Sequence, residues 1–168
     1  MAAFICRYCG APLETAEISV CECRSCGRLQ SIPLIDSAEK RELLLRAEQL
    51  RREQRYDKAI QLYEKMIAMS PVDADLYWAL ALCRYGVLFF ADGGLTLQRT
   101  QTHSFITDSD YQQALKFADE KQRRLMEDIA ALIDEKQRRI SELSVGISYD
   151  VLLCSSTDEE SVGYSMTL

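Results

Sequence analysis

Residues able to do chemistry cluster at the amino terminus, in Cys6-Arg-Tyr-Cys9-Gly10 and Cys23-Arg-Ser-Cys26-Gly27, where thirteen residues separate Cys9 from Cys23. A Cys-x-x-Cys-Gly turn aims two thiolates at a common point. Its glycine permits the positive φ that swings backbone amides toward the sulfurs. Two such turns offer four soft ligands, Cys6, Cys9, Cys23 and Cys26, in a tetrahedral set. That donor set favours zinc, and iron fits the same geometry. With every position taken by the protein, none is left open for a substrate, so the expected role of the ion is structural. Cys21 lies outside both turns. In Glu17–Cys23, "EISVCEC", alternation places Ile18 and Val20 on one strand face and Cys21 with Cys23 on the other, which makes Cys21 a small packed or edge thiol.

The element that must hold these sulfurs spans residues 1–35 and reads as a zinc ribbon, with Leu29–Ile35, "LQSIPLI", as its closing strand. A unit of this size buries little apolar surface, so the metal is expected to supply its folding free energy. The rest of the composition agrees with bound metal rather than disulfides. The chain has 168 residues and seven cysteines. No apolar run approaches the roughly 20 residues of a membrane helix, and the first ten residues lack the features of a signal peptide. A cytoplasmic protein with reduced thiols is expected.

A net charge of −6 and a pI near 4.9 disfavour a nucleic-acid partner. A ribbon that binds nucleic acid through Arg7, Arg24 and Arg28 is kept as an alternative. Other basic groups, at Arg51, Arg52 and Arg55 and at Arg123, Arg124, Arg138 and Arg139, are mixed with acids at helical spacing and read as solvated helix faces. His103, in a polar stretch, reads as solvent-facing.

From Ser37 onward the pattern is helical. Leu43, Ala47, Leu50, Ala59, Tyr63 and Pro71 match the large, small, large, small, aromatic and proline positions of a roughly 34-residue tetratricopeptide repeat. Arg46 departs from that pattern. A second repeat starts at Tyr77, Leu80 and Ala81 and is interrupted. Its other half returns as Tyr111-Gln-Gln-Ala114-Leu115, an echo of Tyr56-Asp-Lys-Ala59-Ile60 that lies 55 residues on. The insertion between them contains Val87–Phe90 and Leu95–Gln98 about a glycine turn, a hairpin over 87–98, followed by a polar loop. The hairpin is expected to pack on its own domain.

Asp110 to about Leu143 then reads as one long helix. Its seam is Leu115, Ala118, Gln122, Leu125, Ile129, Leu132, Lys136, Ile140 and Leu143, in coiled-coil spacing. "DEKQRR" occurs in it twice, at Asp119 and at Asp134. The expected architecture is therefore mainly α. It has a small β ribbon at 1–35, repeat-like helices with the inserted hairpin at 37–108, a long helix at 109–144 that completes the repeat and forms a stalk, and a tail at 145–168. The stalk and the repeats suggest a protein partner or self-association.

Within the tail, Tyr149-Asp-Val-Leu-Leu-Cys154 has the pattern of a buried parallel strand. "YDVLLCSSTDEES" resembles the opening strand and first loop of a Toll/interleukin-1 receptor (TIR) domain, although Leu152 and Ser155 stand where aromatic residues are usual. The order of "CRYCG", "CECRSCG", "YDKAIQLYEKMI", "YWALALCRYG" and "DYQQALKFAD" ahead of that strand is similar to a family of bacterial TIR proteins. The resemblance implies a role in signalling or immunity. It also implies relatives that cleave NAD with a glutamate far downstream of the first strand, beyond the end of this chain. An acidic disordered end is the other reading of 145–168. No residue of the chain is expected to be catalytic. The expected function is a non-catalytic regulatory or interaction module, the alternatives being a truncated NAD hydrolase or the nucleic-acid-binding ribbon.

Overall fold

The computed structural model describes residues 4–14 and 19–164, with side chains as far as residue 144. Two short antiparallel hairpins come first. β1 (Phe4–Ile5) pairs with β2 (Pro12–Leu13), and β3 (Val20–Glu22) pairs with β4 (Leu29–Ser31). Each hairpin is closed by one cysteine turn. β4 is shorter than expected. Ile32 still donates to Ser19 O at 3.0 Å, but Pro33 has no N–H to carry a ladder further. The placement of Ile18 lies outside the described residues.

Helices α1 (Ala38–Arg52), α2 (Tyr56–Met69) and α3 (Ala74–Arg84) follow, each packed on the next. Ser37 caps α1 by accepting from Lys40 N at 3.2 Å, and Asp73 caps α3 by accepting from Asp75 N at 3.2 Å. Between α1 and α2 the chain turns on Gln54, which takes a φ of 59° where glycine is usual. The small residues of the expected crossings, Ala47, Ala59, Ala81 and Ala114, are all buried, so helices approach closely there.

The insertion has the expected form. β5 (Val87–Phe89) and β6 (Leu95–Leu97) pair around Asp92–Gly94, with Gly93 at a φ of 91°. The hairpin also reaches the amino-terminal module. The Tyr8 and Phe89 rings lie 4.8 Å apart, and the Arg28 guanidinium donates to Asp92 O.

Two core clusters meet along α3. Leu76, Ala79, Leu80 and Cys83 face the first, where Phe4, Leu13 and Ile32 of the β module join Leu44, Leu50 and Tyr63. The module is thus docked into the helical core and is not free-standing. Trp78, Leu82 and Tyr85 face the second cluster, which centres on Phe105. Phe105 belongs to a 3-10 turn, Phe105–Thr107, inside the loop read as polar. Its ring lies 5.7 Å from Trp78, 4.9 Å from Tyr85 and 5.2 Å from Tyr111. His103 is exposed.

Four sequence expectations need correction. The long helix is broken into α4 (Ser109–Phe117) and α5 (Glu120–Tyr164). At the break, Asp119 Oδ1 accepts from Gln122 N at 2.9 Å while Gln122 Oε1 accepts from Asp119 N at 3.2 Å, a reciprocal cap that starts a new helix. The apolar stripe beyond the break departs from the expected seam at alternate positions. Gln122, Met126, Ile129, Ala130 and Ile133 are buried, whereas Leu132, Ile140 and Leu143 are exposed.

Arg51 is not on a solvated face, because it is 1% exposed and pairs with Glu48. Finally, α5 runs through Tyr149–Cys154, where the sequence pattern predicts a strand. A strand needs a neighbour for its ladder, whereas a helix closes its backbone hydrogen bonds within itself. Among the described residues no helix is long and apolar enough to cross a membrane.

Candidate metal centre

The two cysteine turns are built alike. Gly10 N donates to Cys6 O at 2.9 Å and Gly27 N to Cys23 O at 2.7 Å. Cys6 N donates to Ala11 O at 2.8 Å and Cys23 N to Arg28 O at 2.9 Å. Gly10 and Gly27 have φ of 79° and 70°, so both glycines are required by backbone conformation.

The turns bring together all four cysteines expected as ligands. The sulfurs of Cys6, Cys9, Cys23 and Cys26 lie within 4.8 Å of one another. Cys6 to Cys26 and Cys9 to Cys23 are each 3.7 Å. A tetrahedral ion bound about 2.3 Å from each sulfur requires sulfurs about 3.8 Å apart. The cluster therefore has the dimensions of a four-thiolate site and can hold a metal ion.

The Ala11 amide on the Cys9 sulfur is the main reason its thiol is lowered to about 7. Burial pushes Cys6 up to about 12, against the amides of Cys9 and Tyr8, and burial also raises Cys26 against the Arg28 amide. Thiols must lose their protons to ligate, so metal binding at this cluster is pH-dependent and releases protons. Cys21 is buried, with its Sγ 3.5 Å from Glu22 O, and stays outside the cluster.

The structure adds roles that sequence reasoning missed. Arg7, within the first turn, is buried and directed away from the sulfurs. It donates to Asp75 Oδ1 at 2.9 Å and Oδ2 at 2.7 Å, to Glu48 Oε1 at 3.1 Å and to Ser31 O at 3.2 Å. Glu48 also accepts from Tyr63 Oη at 2.8 Å and Arg51 Nε at 3.0 Å. Burial by itself raises the Glu48 carboxyl, but Arg51 and Arg7 outweigh it and hold it at about 2.

The signal for Glu48 and Arg51 was their position among Ala47 and Leu50, on a core-facing turn of helix. The three arginines of the nucleic-acid reading all have partners in the chain, Arg24 pairing with Glu14 at 2.6 Å and Arg28 with Asp92 O. Matched against protein-family models, curated proteins and solved structures, the chain has no counterpart in any of the three comparisons.

Proposed function

We propose that the protein is a zinc-stabilised, non-catalytic interaction module, a zinc ribbon seated on a TPR-like helical scaffold. The observation that carries this reading is the sulfur cluster, whose 3.7 Å contacts match a closed four-thiolate zinc site. Zinc without an open position holds structure and does not activate water. The repeat-like reading is supported by the equivalent burial of Tyr56 with Ala59 and of Tyr111 with Ala114, across the insertion. Exposed Leu132, Ile140 and Leu143 on α5 give the scaffold an apolar stripe for self-association or a protein partner. The order of sequence motifs supports a place in TIR-type bacterial signalling or immunity, in the cytoplasm.

Native mass spectrometry of the full chain tests the module reading, with one zinc per chain and a dimer expected. Incubation with NAD tests the non-catalytic part. Release of nicotinamide by the purified chain would overturn it.

A further inference from the structure

Arg7 sits between two of the sulfur ligands, yet its side chain belongs to the helical body. Its guanidinium engages both carboxylate oxygens of Asp75, in the first turn of α3, and Glu48 on α1. Its backbone N–H donates to Gln30 Oε1 at 2.8 Å, and its Nη1 also reaches Ser31 O, both on β4. Gln122 of α5 donates to Ser31 Oγ at 3.0 Å. Arg7, Glu48 and Asp75 are 6%, 5% and 0% exposed, so these contacts are sealed from water.

The geometry couples two events. A two-oxygen arginine–carboxylate pair tolerates little change of direction. The direction of Arg7 is set by Cys6 and Cys9 on either side of it, and closure of the sulfur site sets theirs. In the opposite sense, Asp75 and Glu48 hold the turn from outside. We infer that Asp75 and Glu48 are positioning residues for the metal site. Closing the four-sulfur centre and seating Arg7 on α1 and α3 are one equilibrium, through which the metal state is transmitted to the helical body. The inference rests on the four-thiolate reading, and coupling of this kind is reciprocal. Groups that orient ligands from outside typically change metal affinity 10- to 100-fold.

Two measurements on the full chain decide it. In zinc titrations against a competing chelator, Asp75→Asn is expected to weaken binding about 10-fold or more, with Glu48→Gln in the same direction. Ile133→Val, in the second core cluster, is expected to leave affinity unchanged and so controls for general destabilisation. In the wild-type chain, removing zinc is expected to accelerate amide exchange in α1 and the first turn of α3 while α4 is unaffected. This measurement stands alone if the variants do not fold. Wild-type affinity in a folded Asp75→Asn, or α1 and α3 exchange unchanged by chelation, overturns the coupling while leaving the metal site intact. A wild-type chain that takes up no zinc overturns both.

Discussion

Around Trp78 and around Cys6 the same chain is held together by different forces. The Trp78 region gathers Phe105, Tyr85 and Tyr111 edge-on or tilted around one another, with Met126 and Ile133 beneath, and its stability comes from area removed from water. The Cys6 region has strands of only two or three residues. It gathers four sulfurs that can hold a metal ion and a buried arginine shared between two carboxylates. Packing of the first kind degrades gradually when atoms are lost. A centre of the second kind depends on every partner being present, since each buried charge left alone is costly.

Cys23→Ser breaks the comparison most severely. It is expected to abolish tight zinc binding and the amide protection of residues 4–14 and 19–31, since structural zinc contributes on the order of 10 kcal/mol to small modules. The environment of the single tryptophan should persist, as seen in fluorescence. Trp78→Ala is the converse. It should lower stability by about 3–5 kcal/mol in urea unfolding, with zinc retained in the folded fraction.

Glu48 gives a pH signature to the polar side. Its carboxyl is held at about 2 in the folded chain, below the ordinary 4.5, so its contribution is present above pH 4.5 and is lost as pH falls toward 2. The stability difference between wild type and Glu48→Gln, on the order of 3 kcal/mol near neutrality, should shrink over that interval. Asp119→Ala should have the smallest effect, about 1 kcal/mol from loss of the reciprocal cap, with no change in zinc binding.

The cysteine cluster was legible because its information is local. Each turn is fixed by five adjacent residues, and two identical turns imply a common centre. The hairpin around Gly93 and the helices α1 to α3 were legible for the same reason. "DEKQRR" shows where local reading fails. At Asp119 its first and fourth residues cap a helix, each side chain accepting from the other's backbone N–H. At Asp134 the same residues lie within α5 and hold the loop before α4, Asp134 accepting from Ser104 Oγ and Gln137 Oε1 accepting from Phe105 N at 3.1 Å.

Identical letters take different roles because the surroundings differ. The stripe of α5 keeps Gln122 and Ile129 of the expected seam but takes Met126 and Ile133 in place of Leu125 and Leu132, a step of four residues where three was expected. Arg7 was unreadable for a related reason. Nothing in Cys-Arg-Tyr-Cys announces that Asp75, far along the chain, will take the guanidinium.

The most direct test is X-ray absorption at the zinc edge on protein loaded with one equivalent of zinc. Four sulfur scatterers at about 2.3 Å, with no nitrogen or oxygen in the first coordination sphere, are predicted. A shell containing light-atom donors, or protein that retains no zinc while residues 4–14 and 19–31 stay ordered, would contradict the claim that these four thiolates hold the amino-terminal module together.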